Sequence, residues 1–411
     1  MATCRHDGLV STAEQVARTR VWTRQGVIEV LANLLVIAAV PLIARSLWPM
    51  FREGITNFGF AEIVEKLAGA GGWTDVGWEV ASTIGLIKPD FSAYDSLEVL
   101  HPLVGMQLDF VDLSVNSHPP FAIPLGLPLA YLDYGWWLSF YVVASFCLIA
   151  LSMRLMRVPA YIAYPLALGI CLTIPGRWGL MSTYPMSAFL IALAWKYRRH
   201  PVIAGTAYGV YGSSRGIGLL MLLYPLWRRQ WKTLIIGAAI PVALLAIAVA
   251  LEPTVITAFL ESSRASIAAS LQRSDLMTVG ALLRRNGSQE YVGWLIAGVV
   301  AAIALWRKQE PFWVINWFIL AVSPIAWLHT FVMAIPLLVV VWRSSKLGVV
   351  LVLIAAASVV SPPPLISTYF SINWVVVIAV TGIALLTCPI PRQLQENNFD
   401  EPRIASPVSG P

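Results

Sequence analysis

Long apolar runs separated by short basic turns set the pattern of this chain. A helix crossing a bilayer needs about 20 mostly apolar residues. Residues 27–48 form the first such run, and comparable runs recur as far as residue 388. The first run is too long and too far from the start for the apolar core of a cleaved signal, so it reads as a retained span. The pattern predicts an all-α, polytopic integral membrane protein with about 11–13 membrane segments.

The polar stretches between runs predict the organisation. Residues 1–26 form a cytosolic N-terminal segment, 27–388 the membrane domain, and 389–411 a polar, disordered cytosolic tail. Arg18, Arg20 and Arg24 precede the first run. Basic clusters at Arg154 and Arg157, Lys196 to Arg199, Arg228 to Lys232, Arg307 with Lys308, and Arg343 with Lys346 mark further cytosolic turns. The complementary segments, a large first loop at 49–118 and a second at 253–290, then face the extracytoplasmic side.

Two stretches resist a simple crossing. Residues 119–133 are too short to span comfortably, which suits a re-entrant or tilted helix. Residues 201–227 lie between two basic clusters and contain Gly205, Gly209, Gly212, Gly216 and Gly218. Broken helices survive at membrane depth only when buried in protein or lining a cavity. This stretch therefore predicts a hairpin of two short helices with Ser213, Ser214 and Arg215 near its tip. In the second loop Phe259, Ile267 and Leu271 alternate with Glu261, Arg264 and Arg273, as in a helix lying in the membrane interface.

Composition agrees with a bilayer as solvent: 58% of residues are hydrophobic, 12% are charged, and the mean hydropathy is +0.72. The net charge of +6 is not a nucleic-acid signature, because its bases sit in the short turns. Cys4, Cys147, Cys171 and Cys388 are scattered without metal-ligand spacing and read as small apolar fillers. No H-E-x-x-H, paired cysteine or D-x-D motif predicts a metal. No Gly-rich phosphate loop after a strand predicts a nucleotide, so no cofactor is expected.

Charge changes the picture in the first loop. Residues 49–118 carry ten carboxylates against three bases, inside a basic protein. Asp90, four residues before Tyr94 in PDFSAY, stands at the expected water–membrane boundary. A carboxylate there can take a proton from an acceptor hydroxyl. Asp75 in GGWTDVGW is the reserve candidate, and any of the ten can equally be a solvated loop acid. His118 opens HPPFAIPLGLPLAYL, where two prolines fix the entry of the chain into the membrane. Arg215 cannot lose its charge, so it needs an anion, either an internal carboxylate or a lipid-linked phosphate. Arg177 in GRWGL sits on an outer turn. His329, two residues after Trp327, follows the helix-breaking Ser323-Pro324 pair.

Four blocks, in order, resemble glycosyltransferase family 87, polytopic enzymes of the GT-C class that include polyprenol-phosphate-mannose-dependent mannosyltransferases. PDFSAYDSLEVL is similar to the family's D-x-x-x-Y segment, and HPPFAIPLGLPLAYL to its Y-P-P block. RRHPVIAGTAYGVYGSSRGIGLLMLLYPLWRRQWKTL is similar to its basic, proline-glycine hairpin block, and SPIAWLHTFVMAIPLL to its S-P-I-S-W-x-H block. The resemblance implies a metal-independent, inverting hexosyl transfer from a polyprenyl-phosphate sugar, mannose first, to a glycolipid or glycan acceptor at the outer face of the plasma membrane. By position it makes Asp90 the base, Arg215 the donor-phosphate contact and His329 an active-site histidine; Arg177, read from its outer turn alone and standing where the family has a G-Q-x-N turn, is a second donor-phosphate candidate or a lipid-headgroup contact. Tyr94, His118 and Trp327 then line the pocket. His118 stands where the family usually has Tyr, and Arg215 where Lys is common.

Two rival classes stay open at this level. A flippase of lipid-linked sugars would share the Gly-broken helices but needs no acidic loop with a boundary Asp. A membrane scaffold needs no convergence of Asp90, Arg215 and His329.

Overall fold

The computed structural model describes residues 75–100, 118–131, 134–172, 180, 182–270, 279, 283, 289–323, 330–360, 368–388 and 390. Every regular element among them is helical. In chain order they are α1 (Asp75–Ile87), α2 (Leu97–Leu100), α3 (Leu127–Ala130), α4 (Tyr134–Leu155), α5 (Ala160–Leu172), α6 (Tyr184–Lys196), α7 (Pro201–Arg215) and α8 (Leu223–Trp227). There follow α9 (Trp231–Leu251), α10 (Val255–Ser270), α11 (Glu290–Trp306), α12 (Pro311–Val322), α13 (Phe331–Ser344), α14 (Lys346–Val360) and α15 (Thr368–Thr387). Short 3₁₀ turns, Ile123–Gly126 and Gly216–Leu222, precede α3 and α8.

The local sequence explains where several helices begin and end. Pro185, Pro201 and Pro311 stand in the first turns of α6, α7 and α12, where a missing N–H costs nothing. At the ends of α4, α8 and α11 the chain turns through Arg157, Arg229 and Lys308, with φ of 63°, 54° and 60°. Each end closes with paired bonds, such as Gln230 N–H to the Pro225 carbonyl at 2.8 Å and Arg229 N–H to Leu226 at 3.0 Å. Glycine is the usual residue at that left-handed position. A basic residue there costs about 1–2 kcal/mol in backbone strain and regains about 0.3–1 kcal/mol against the helix dipole.

The helix α9 is the one described helix long and apolar enough to cross a membrane on length and composition alone. Only 17% of its apolar window is buried, and Ile235, Val242 and Leu251 are exposed. An apolar helix with so little of itself covered has lipid as its natural surroundings. Shorter apolar helices, including Tyr291–Trp306 and Phe331–Ser344, surround the same core.

The core lies between α4, α6, α7, α12 and α13, with Tyr208, Tyr211, Phe312, Trp313 and Val332 buried in it. Helices α7 and α9 meet most closely. A Cβ on Gly209 would stand 2.7 Å from the Gly237 carbonyl oxygen, and one on Gly205 2.8 Å from Ile236 Cβ. These glycines therefore let two backbones approach, the small-residue packing common in membranes. The expected hairpin is present: Gly216 has φ +44°, the chain doubles back, and Tyr224 returns to within 6.5 Å of Tyr208, ring centre to ring centre.

The first loop holds more structure than predicted, while the helix expected in the second loop is present. The first loop contains α1, whose residues Val80, Ala81, Ser82 and Thr83 are buried. The second loop opens with α10. Residues 119–131 form only a 3₁₀ turn and the four-residue α3, so no described helix there is long enough to cross a bilayer.

Candidate active site

The site is assembled around a double turn. Phe91 N–H donates to the Lys88 carbonyl at 3.2 Å, placing Pro89 and Asp90 at the centre of the first turn. Proline is pre-set for the first central position, and Asp suits the second. Asp90 is exposed. Asp95 N–H then donates to the Ser92 carbonyl at 3.1 Å, while the Asp95 carboxylate accepts from Ser92 N–H at 2.7 Å.

Three anchors hold this double turn. A Cβ on Gly85 would lie 2.6 Å from the Ser92 carbonyl oxygen, so α1 must present a glycine where the turn folds back on it. Glu252, at the end of α9, accepts from Ser92 Oγ at 2.6 Å and from Ala93 N–H at 3.0 Å. Tyr94 Oη donates to the His118 carbonyl at 2.7 Å, and its ring packs 5.7 Å from that of Phe259 on α10. Burial, then the nearby Glu252 carboxylate, pushes the Tyr94 phenol far above its ordinary pKa. It therefore remains a donor at working pH. Tyr94, Ala93, Leu86, Ile123, Ala248 and Val255 form a small apolar cluster beneath the turn.

The hairpin tip joins from the other side. Arg215 closes α7, and its guanidinium lies 4.0 Å over the Tyr184 ring at the start of α6. A Cβ on Gly216 would stand 3.4 Å from Pro119, the residue after His118. A hydrogen bond thus ties the Asp90 turn to His118 through Tyr94, and the next residue, Pro119, lies near Gly216, the neighbour of Arg215. Thr183, buried beside Tyr184, has a hydroxyl with no hydrogen-bond partner among the described residues.

Of the residues singled out from sequence, Tyr94 and His118 are joined by a hydrogen bond, Asp90 is exposed on the turn that carries Tyr94, and Arg215 stacks on Tyr184 at the hairpin tip. Asp75 opens α1. Arg177, Trp327 and His329 lie outside the described residues. Glu252 and Ser92 were not anticipated. Glu252 had a readable signal, since it is the first charge after the apolar run of α9 and stands at a membrane boundary. Ser92 had none.

Among the described residues the protein is an all-helical bundle with one long, largely uncovered apolar helix, and the turn that presents Asp90 is fastened where that helix ends. A model of glycosyltransferase family 87 matches residues 117–362, more than half of the chain. The chain belongs to glycosyltransferase family 87, a family of membrane glycosyltransferases, and is a glycosyltransferase that needs a sugar donor and an acceptor. The match covers His118, Arg177, Arg215, Trp327 and His329, and begins after Asp75, Asp90 and Tyr94. No curated protein and no solved structure matches the chain significantly.

Proposed function

We propose that this glycosyltransferase is a multi-pass plasma-membrane protein with about 11–13 membrane segments. In this reading it moves a hexose, mannose by the resemblance, from a polyprenyl-phosphate donor to a glycolipid or glycan acceptor. Its active site faces the extracytoplasmic side, and the transfer is metal-independent and inverting. The observation that supports the reading best is the approach of the Asp90 turn to the hairpin tip that carries Arg215, through the Tyr94–His118 hydrogen bond and the nearness of Pro119 to Gly216. It supports a reading in which a proton acceptor and an anion-binding group act at the same end of the bundle.

In this mechanism the Asp90 carboxylate takes the proton of the acceptor hydroxyl as that oxygen attacks the anomeric carbon. The bond from the anomeric carbon to the phosphate oxygen breaks, and polyprenyl phosphate leaves with the bonding pair. One displacement inverts the anomeric centre. Arg215, stacked on Tyr184, holds the charge that develops on the leaving phosphate, and Arg177 supplies a second contact. His329 donates a hydrogen bond to phosphate or sugar. Tyr94, His118 and Trp327 shape the pocket, and Asp75 is the alternative base.

The test is transfer by purified protein in lipid nanodiscs. It uses a radiolabelled polyprenyl-phosphate mannose and a membrane glycolipid extract as acceptor. Asp90→Asn is expected to lower the rate by about 10²–10⁴-fold. Full transfer by that variant rejects Asp90 as the base, and no transfer by the wild-type protein from this donor rejects the donor assignment. Mass spectrometry of envelope glycolipids from a deletion strain, seeking a product short of one sugar, identifies the acceptor.

A further inference from the structure

The turn that carries Asp90 is held by a carboxylate 159 residues away from its nearest backbone partner in sequence. Glu252 is 9% exposed and sits where α9 ends, its own N–H bonded to the Ala248 carbonyl at 2.8 Å. Its two oxygens serve different parts of the turn: Oε1 accepts from Ser92 Oγ and Oε2 from Ala93 N–H. Ser92 is a hub. Its N–H is held by Asp95, its carbonyl accepts from Asp95, and its hydroxyl also accepts from Tyr94 N–H at 3.2 Å. Asp90 itself is exposed, two residues before this hub. The direction of its side chain thus depends on where residues 91–93 are fixed.

We infer that Glu252 is a positioning residue for Asp90, and that it couples the end of the membrane-crossing helix α9, with the attached α10, to the geometry of the reacting centre. The inference rests on the reading of Asp90 as the base. Charge-assisted bonds from a carboxylate are about twice as strong as neutral ones. The bond from Ala93 N–H also satisfies a group that would otherwise be enclosed without water, since Ala93 is fully buried. The same α9–α10 corner contributes Ala248, Val255 and Phe259 to the cluster beneath the turn. The turn is therefore fastened to that corner by polar and apolar contacts together. A reacting group displaced by about 1 Å loses rate far out of proportion to any loss of stability.

Two measurements on the full-length protein test this. Hydrogen exchange of Glu252→Ala is expected to speed up in peptides covering residues 88–96 and to stay unchanged in peptides from α4, α6 and α12. Transfer from polyprenyl-phosphate mannose should fall by at least about tenfold in kcat, with KM for that donor within about twofold of wild type. Glu252→Gln, which can still accept from Ala93 N–H and donate to Ser92 Oγ, should recover most of both. Ser92→Ala should show a smaller loss, and the double variant with Glu252→Ala should lose less than the sum. Faster exchange spread over the whole bundle marks Glu252 as a general stabilising residue and overturns the inference, as does unchanged exchange at residues 88–96. If Asp90→Asn is fully active, the base assignment fails. If Asp90→Asn is inactive while Glu252→Ala is wild type, only the positioning role fails.

Discussion

The two ends of the bundle treat charge differently. At the basic end, Arg228 meets both oxygens of Glu310 at 2.9 Å. Arg343 donates to the Met156 and Arg157 carbonyls at 2.8 and 2.7 Å, and Arg198 lies 4.1 Å over Trp195 while bonding the Trp195 carbonyl. These charges are closed off against neighbours that are part of the helix ends themselves. At the Asp90 end, the fixed groups are Ser92, Ala93 and Tyr94, and Asp90 is presented to solvent from a turn they hold in place. Cations at the basic end complete helix termini. Polar groups at the Asp90 end fix a loop so that one carboxylate points outward. Arg228 precedes α9 and Glu252 follows it, so the closed ion pair and the Asp90 turn stand at opposite ends of that helix.

That separation predicts opposite responses to substitution. Asp90→Asn should give the largest effect of all, the loss of transfer given above, with the thermal midpoint in detergent unchanged. Gly85→Ala comes next. Its new Cβ would sit 2.6 Å from the Ser92 carbonyl oxygen and 2.9 Å from Leu100 Cδ2, so the turn must move. Transfer should drop by at least about tenfold while helical content by circular dichroism stays the same. A Gly85→Ala protein with full activity would show that the turn tolerates displacement, and would weaken the contrast.

Changes at the basic end should do the reverse. Arg228→Gln leaves the Glu310 carboxylate, 8% exposed, without its ion pair. It should cost about 1–3 kcal/mol of stability in a thermal melt, with kcat and donor KM unchanged. A fall in kcat instead would mean that the two ends are coupled. The smallest effect is expected for Arg229→Gly, which relieves a left-handed residue with φ 54° but gives up a cation at a helix terminus. The net gain should be no more than about 1 kcal/mol, read as a slight rise of the same midpoint.

Much of the fold was legible in the sequence because its signals are local. Pro201 opens α7, the glycines of 201–227 announced a broken hairpin, and the hairpin is there. Helix α1 inside the first loop was missed, because its run is short and sits among carboxylates that read as solvated. Of the site, Asp90 and Arg215 stood out as charges near apolar runs. The resemblance assigned both to one site, but the contacts around them were not legible, since they depend on Tyr94 reaching a backbone carbonyl 24 residues on and on Gly216 lying near Pro119. Glu252 shows the limit most clearly. A lone acid after an apolar helix signals a boundary, but nothing in the linear order says that it receives Ser92 and Ala93.

By itself, then, the sequence determined an all-helical chain, the family to which it belongs and the short list of charges that could carry chemistry. Helix periodicity, membrane-length apolar runs and proline or glycine punctuation act over a few residues and can be read in order. The tertiary structure alone decided which charges are spent on helix ends, which turn is pinned, and by what. Those outcomes rest on hydrogen bonds and close approaches between separate segments, 160 residues apart for Glu252 and Ser92 and 82 for Arg228 and Glu310. Such pairings exist only once the helices have packed and water has been excluded from the groups between them.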